Sequence, residues 1–240
     1  VAEILLIRHG QASFGTADYD ALSELGLRQA SLVGDYLVSN GYRFDGLYCG
    51  TLRRQRQTAQ QVIDAYAAAG APAAALREDS GFNEVDNEAQ IKLLAPQLAR
   101  DNAQVRQLME SAHGSKKDFQ KLLKIVFGEW QAETCTNPRL QSWQLFKAGV
   151  LDALARVQEE QGSGTTSAIF TSGGVIATIV AHVLKMPDSA VYSVFEPVIN
   201  CSITRLLFRN ERVSLSTYNE YSYLKTRGVD AGLPNIITYR

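Results

Sequence analysis

An imidazole and a guanidinium stand side by side in Arg8-His9-Gly10, directly after the apolar run Ile4, Leu5, Leu6, Ile7. An imidazole nitrogen can attack phosphorus as a nucleophile, and a flanking Arg offers phosphoryl oxygens a planar fork of donors. Gly10 lets a ligand approach the backbone closely. A second cluster, Gly50-Thr51-Leu52-Arg53-Arg54-Gln55-Arg56-Gln57-Thr58-Ala59, follows the strand-like run Gly46-Leu47-Tyr48-Cys49 and opens a helical pattern. Open α/β sheets bind ligands beyond the carboxyl ends of their strands. Taken singly, His9 also reads as a satisfied buried imidazole, and Arg8 or Arg54 as surface ion-pair partners. Two such motifs at two strand ends instead define one candidate anion pocket.

The elements that must position these groups follow a βα rhythm. After the first strand, to Ile7, come a loop through Phe14 and Asp20 and a helix capped near Ser23, with Leu25, Val33, Tyr36 and Leu37 on or near one face. A strand over 44–49, a helix over 52–69, a short strand near Ala75 to Arg77, a strand over 167–171 and a helix over 174–185 continue the alternation. The alanine-rich stretch from Ala65 to Ala75 reads as a helix end, a break at Gly70/Pro72 and a link. The last strands are expected over 201–209 and 213–218, joined by a hairpin turn at Asn210-Glu211. Between Asn87 and about Val126 the pattern turns helical and polar, anchored by Leu93, Leu94, Leu98, Val105, Leu108, Leu122 and Leu123. The expected architecture is a three-layer α/β sandwich with a mainly parallel sheet, a single domain over 1–240 with a helical cap insertion at about 87–126.

Bulk properties narrow the class of function. The 240 residues are 45% hydrophobic and 20% charged, ordinary for one large globular domain. A formal net charge of −1 provides no global field for nucleic acid or an anionic membrane. Cys49, Cys135 and Cys201 are odd in number, far apart and without metal-ligand spacing, which speaks against a disulfide framework or a zinc site and fits a reduced, cytoplasmic setting. The longest apolar stretch, Val175 to Leu184, is too short to span a bilayer and contains His182. The chain opens directly on a strand-like segment with no export leader. No cofactor is called for, and a homodimer is left open.

Together the two Arg motifs resemble the histidine phosphatase superfamily, the phosphoglycerate mutase-like enzymes, and more specifically its phosphatase branch. The resemblance implies that His9 is the nucleophile that becomes phosphohistidine, and that Arg8 and Arg54 clamp one phosphate. It places Glu84, in Gly81-Phe82-Asn83-Glu84-Val85-Asp86, as the proton donor to the leaving oxygen, with Asp86 and Glu88 as rivals and a solvated loop acid as the plain alternative. Gln11 and Ser13 extend the rim of the phosphate site. The resemblance also implies that the insertion shapes substrate choice. His113, Lys116, Lys117, Lys121 and Lys124 would then meet an anionic tail, or else form a solvated helix face.

One departure stands at Phe170-Thr171-Ser172-Gly173-Gly174-Val175-Ile176, where the resembled pattern has a second catalytic His in place of Ser172. Losing one charge-assisted donor from a transition state costs about 3 to 4 kcal/mol, roughly a hundred- to thousandfold in rate. Ser172, with the amides of Gly173 and Gly174 at a helix start, would form an anion nest in its place. His182, on the order of 15 Å down that helix, is expected to be structural. Tyr221 and Tyr223, in the closing segment, line the pocket mouth or pack against the sheet, and the tail after about Lys225 falls outside the resemblance. The implied activity is metal-independent hydrolysis of a small phosphomonoester. The alternatives are a catalytically weak or silent phospho-ligand-binding protein and a phosphoglycerate mutase.

Overall fold

A computed structural model describes residues 1–13, 20–71, 73–132, 137–210, 212–233 and 235–239, with the side chain of Lys116 excepted. Phe14, Pro72, Cys135 and Glu211, and with Glu211 the expected hairpin turn, lie outside the described residues. In chain order the elements are β1 (Ala2–Arg8), α1 (Glu24–Ser39), β2 (Gly46–Cys49), α2 (Arg53–Ala68), β3 (Leu76–Glu78), α3 (Asn87–Asp101), α4 (Ala103–Ser111), α5 (Lys116–Gln131), α6 (Trp143–Gln161), β4 (Thr166–Thr171), α7 (Gly173–Val183), α8 (Val191–Phe195), β5 (Ile203–Arg209), β6 (Arg212–Glu220) and α9 (Ser222–Asp230).

The strands form one six-stranded sheet in the order β3-β2-β4-β1-β5-β6. The first four are mutually parallel, while β5 runs antiparallel to β1 and β6 antiparallel to β5. The middle of β1, Ile4 to Ile7, is an apolar run because both faces of the strand are buried there. Ile4 and Leu6 enter one core with Tyr48, Ile169, Leu206 and residues of α3 to α8. Leu5 and Ile7 enter the other with Leu47, Ala168, Phe170 and residues of α1, α2 and α9. Helices therefore cover both faces, as the α/β pattern requires.

Register decides where chemistry can occur. Arg8 lies opposite Thr171 in the parallel β1–β4 pair, so both strands end at the same level and release His9 and Ser172 at one sheet edge. Ser23 caps α1 by accepting a hydrogen bond from the Gly26 N–H, as its sequence position predicts.

Several boundaries differ from those expected. Strand β2 begins at Gly46, not Phe44, because Phe44 instead stacks with Tyr42 and meets the edge of Tyr66. The fifth strand begins at Ile203, since Cys201 takes a left-handed backbone with φ 58° and turns the chain before pairing starts. The helical stretch from Asn87 runs to Gln131 as three helices, and its apolar residues share a core with one face of the sheet. Helix α6 lacked a sequence assignment; its Trp143, Phe146 and Val150 are buried in that core. No helix among the described residues is long and apolar enough to cross a membrane.

Candidate active site

Beyond β1 the chain is fixed residue by residue. The His9 N–H donates to Thr171 O at 2.8 Å, and the His9 carbonyl accepts from Asn200 Nδ2 at 3.0 Å. Gly10 N–H donates to Thr58 Oγ1 at 3.1 Å and Gln11 N–H to Gln29 Oε1 at 2.8 Å. A Cβ on Gly10 would lie 2.4 Å from Gly26 O, so only glycine lets α1 approach this closely. His9 Nδ1 lies 2.7 Å from Gly10 O. A carbonyl only accepts, so Nδ1 carries the proton and Nε2 keeps the lone pair.

Arg54, in the first turn of α2, meets that lone pair: its Nε–H donates to His9 Nε2 at 3.2 Å. Its NH1 donates to Asp20 Oδ1 at 2.5 Å, and the other carboxylate oxygen of Asp20 accepts from the Arg53 N–H at 2.7 Å. Asp20 thus joins the start of α2 to the arginine that faces His9, and an anion at the helix start is favoured by the helix dipole. Arg8 is 4% exposed and His9 6%, and Arg8 donates to Val198 O. Burial pushes the Tyr218 hydroxyl up to about 12, with the Arg8 cation pulling the other way. Burial also pushes the Cys201 thiol well up, again opposed by Arg8.

At the end of β4 the arrangement differs from the expected anion nest. Ser172 and Gln55 are both 0% exposed, and Gln55 Nε2 donates to Ser172 Oγ and to Phe82 O, each at 2.8 Å. Thr171 Oγ1 donates to the same carbonyl at 2.7 Å. Ser172 is therefore covered by an amide rather than opened to a ligand. The Gly174 N–H donates to Glu84 Oε2 at 3.2 Å, and a Cβ at Gly174 would lie 2.3 Å from Glu84 Oε1. The carboxylate occupies the α7 start that sequence reasoning reserved for phosphate. A Cβ on Gly173 would lie 2.8 Å from the Phe195 ring.

The two expected rim residues bond to the segment before α1. Gln11 Oε1 accepts from Ser23 Oγ at 3.0 Å, and Ser13 N–H donates to Ala21 O at 2.8 Å. Asp86 caps α3 by accepting from the Ala89 N–H. His113 is exposed beyond α4, and Lys117, Lys121 and Lys124 are exposed along α5, with Lys121 paired to Asp118 at 3.3 Å. His182, expected to be structural, is instead exposed near the far end of α7. It borders a cleft of about 460 Å³ with Lys147, Asp188 and Arg212, which includes none of the residues around His9. Tyr223 is buried and stacks on Tyr36 at 4.3 Å between ring centroids. Tyr221 lies beneath the Lys225 ammonium at 5.2 Å. Among the described residues no group of three or more His, Cys, Asp or Glu is placed to hold a metal ion.

Sequence reasoning missed Asp20, Gln29, Gln55, Thr58 and Asn200 as parts of this assembly. Gln55 and Thr58 lie inside the second Arg motif and could have been found by placing their side chains on the helix face that carries Arg54. Asn200 and Gln29 gave no comparable local signal.

The His9 imidazole, with Arg54 hydrogen-bonded to it and the buried Arg8 preceding it in the chain, stands at the carboxyl edge of a sheet covered by helices on both faces, an arrangement of donors suited to a phosphoryl anion. The profile of the histidine phosphatase superfamily, branch 1, matches residues 4–121 and 92–221, and the chain belongs to that superfamily. A phosphoglycerate mutase from Schizosaccharomyces pombe is 33% identical over 67 residues, a stretch covering 25% of this chain and 32% of that enzyme. The chain is also similar in structure to a phosphoglycerate mutase from Bacillus anthracis, with TM-score 0.63, 18% identity and coverage of 93% and 95% of the two chains. A phosphoserine phosphatase from Entamoeba histolytica, solved with 3-phosphoglyceric acid, gives TM-score 0.61 at 18% identity and covers 93% and 100%. At these identities the structural likeness is one of fold.

Proposed function

We propose that this chain hydrolyses a small phosphomonoester through a phosphohistidine formed at His9. The observation that carries the proposal is the His9 imidazole, whose proton is held on Nδ1 by Gly10 O while Nε2 faces the Arg54 guanidinium at 3.2 Å. An incoming phosphate takes Arg54 donors now directed at His9 and Asp20, and Arg8 supplies the second fork. Nε2 then forms a bond to phosphorus as the ester P–O bond breaks, and the Glu84 carboxyl gives its proton to the departing oxygen. In the second step Glu84 takes a proton from water, the water oxygen bonds to phosphorus, and the N–P bond breaks to release phosphate and restore the imidazole.

Ser172 stands where the superfamily pattern has a second catalytic His, and its burial beneath Gln55 supports slow turnover. The same observation favours one alternative, a phospho-ligand-binding protein with little or no catalysis. The similar phosphoserine phosphatase from Entamoeba histolytica was solved with 3-phosphoglyceric acid and, as a mutant, with phosphoserine, which supports a small phosphorylated metabolite as the ligand class. Phosphate release from a panel of phosphomonoesters between about pH 5 and 8, compared with His9→Ala, tests the proposal. Release that depends on His9 is expected. Saturable phosphate binding with equal background release in both proteins would favour the binding role, and isomer interconversion without loss of phosphate would favour a mutase.

A further inference from the structure

The segment that follows α9 returns beneath the nucleophile loop. Ile236 is buried with Leu5, Ile7 and Leu224, and a Cβ on Gly228 would lie 2.6 Å from the Ile236 side chain, so this close seat needs glycine on α9. Two residues on, Thr238 Oγ1 donates to Asn200 Oδ1 at 3.0 Å and accepts from Gln29 Nε2 at 2.8 Å. Thr238 O accepts from the Asn200 N–H at 2.9 Å, and Ile236 O accepts from Gln29 Nε2 at 2.7 Å.

Gln29 and Asn200 are 0% and 1% exposed, and each uses its remaining amide atom on the loop. Asn200 Nδ2 holds the His9 carbonyl and Gln29 Oε1 holds the Gln11 N–H. The residue after Asn200, Cys201, has the left-handed φ of 58°, a conformation that non-glycine residues rarely adopt. That turn aims the Cys201 N–H at Arg8 O, 3.0 Å away. Its neighbours fix it further: Tyr223 donates to Cys201 O, and Asn219 Oδ1 accepts from the Ile199 N–H at 2.9 Å. Local strain held by several independent bonds is a feature of sites where geometry matters.

We propose that Gln29, Asn200 and Thr238 form a positioning unit for His9, with the Thr238 hydroxyl as the joint between its two arms. One arm fixes the carbonyl of the nucleophile itself and the other fixes the loop two residues on. Together they set where Gly10 O meets Nδ1, and so which way the Nε2 lone pair points. None of the three touches substrate; each acts through the loop. The inference rests on His9 being the reacting group.

Thr238→Val keeps the shape and removes the joint, leaving Asn200 Oδ1 without that donor and Gln29 Nε2 with one acceptor fewer. The expected result is a fall in kcat of about tenfold or more with KM nearly unchanged, because misplacing a reacting atom harms attack more than binding. Thr238→Ser should restore most of the rate. In parallel, ¹⁵N spectra of His-labelled protein should show the Nδ1–H tautomer for His9 in the parent and in Thr238→Ser, and a mixture of tautomers in Thr238→Val. Parent-like kcat and parent-like His9 signals in Thr238→Val would overturn the proposal, as would equal losses in the Val and Ser variants. If the parent shows no His9-dependent turnover, the proposed function fails, and the imidazole spectrum alone decides the positioning role.

Discussion

The loop around His9 and the helical layer formed by α3 to α6 are held together by opposite means. Around His9, nearly every backbone group from Arg8 to Gln11 is assigned to a named partner: Ser202, Thr171, Asn200, Thr58 and Gln29. In the helical layer, Phe127 instead packs among Trp130, Trp143, Tyr192 and Phe195, with ring centroids 5.3 to 6.2 Å apart. Directional bonds fix atoms to fractions of an ångström, whereas apolar packing fixes volume and tolerates exchange of shape. The candidate site and the helical layer beside it are therefore built on separate footings. They touch at Phe195, which packs with Phe127 on one side and lies against Gly173 on the other.

The largest effect on that division should come from Phe127→Ala. Emptying a fully buried ring site costs about 3 to 5 kcal/mol of stability, read as a lowered denaturant midpoint, while KM for a small phosphomonoester should change little. A large rise in KM would mean that the helical layer shapes the pocket through Phe195. Arg54→Ala is the counterpart on the bonded side. Removing a donor to the transferring group should lower kcat/KM by about a hundred- to thousandfold, with stability altered far less because Arg54 NH1 bonds to the partly exposed Asp20.

A sharper and smaller test concerns Ser172. Gln55 and Ser172 are both fully buried and hydrogen-bonded to each other, so Ser172→His alone should gain nothing and lose stability through overpacking, by about 1 to 3 kcal/mol. Gln55→Ala combined with Ser172→His makes room for the ring, and phosphate release should rise above that of either single variant. A rise in Ser172→His alone would show that the edge is looser than the bonded loop beside it.

The smallest effect belongs to Asp188, a polar point on the packed side. Burial works against its charge, but hydrogen bonds from Lys147 and Trp143 outweigh it and hold the carboxyl below its ordinary 3.8. A depressed folded-state value contributes stability that is complete above 3.8 and is lost as pH falls through the lower folded value. Asp188→Asn should therefore lower Tm slightly at neutral pH, by well under about 1 kcal/mol of stability for so exposed a pair, and the difference from the parent should shrink below pH 3.8.

What was legible in the sequence follows the same division. Arg8-His9-Gly10 could be read because a strand end and its loop are contiguous, and Arg54 because its helix opens at once after β2. The Ser23 cap and the continuous apolar β1 are local signals of the same kind. Gln55 meets Ser172 across 117 positions and Asn200 meets His9 across 191, and no periodicity carries such a pairing. The left-handed turn at Cys201 was hidden because its residue type argues against it. Helix α6 escaped notice because its outward face carries apolar residues, the exposed Leu145, Ala148 and Ala155, which blur the contrast with the buried Trp143, Phe146 and Val150.

The central claim is that His9 carries the phosphoryl group. Mixing the protein with an active phosphomonoester, stopping the reaction in alkali where phosphohistidine survives, and mapping the phosphorylated peptide by mass spectrometry tests it directly. The account predicts a phosphoryl group on His9 that forms and decays in step with phosphate release, and none of either in His9→Ala. Undiminished release from His9→Ala, or turnover by the parent with no phosphoryl group on His9 at any time, would contradict it.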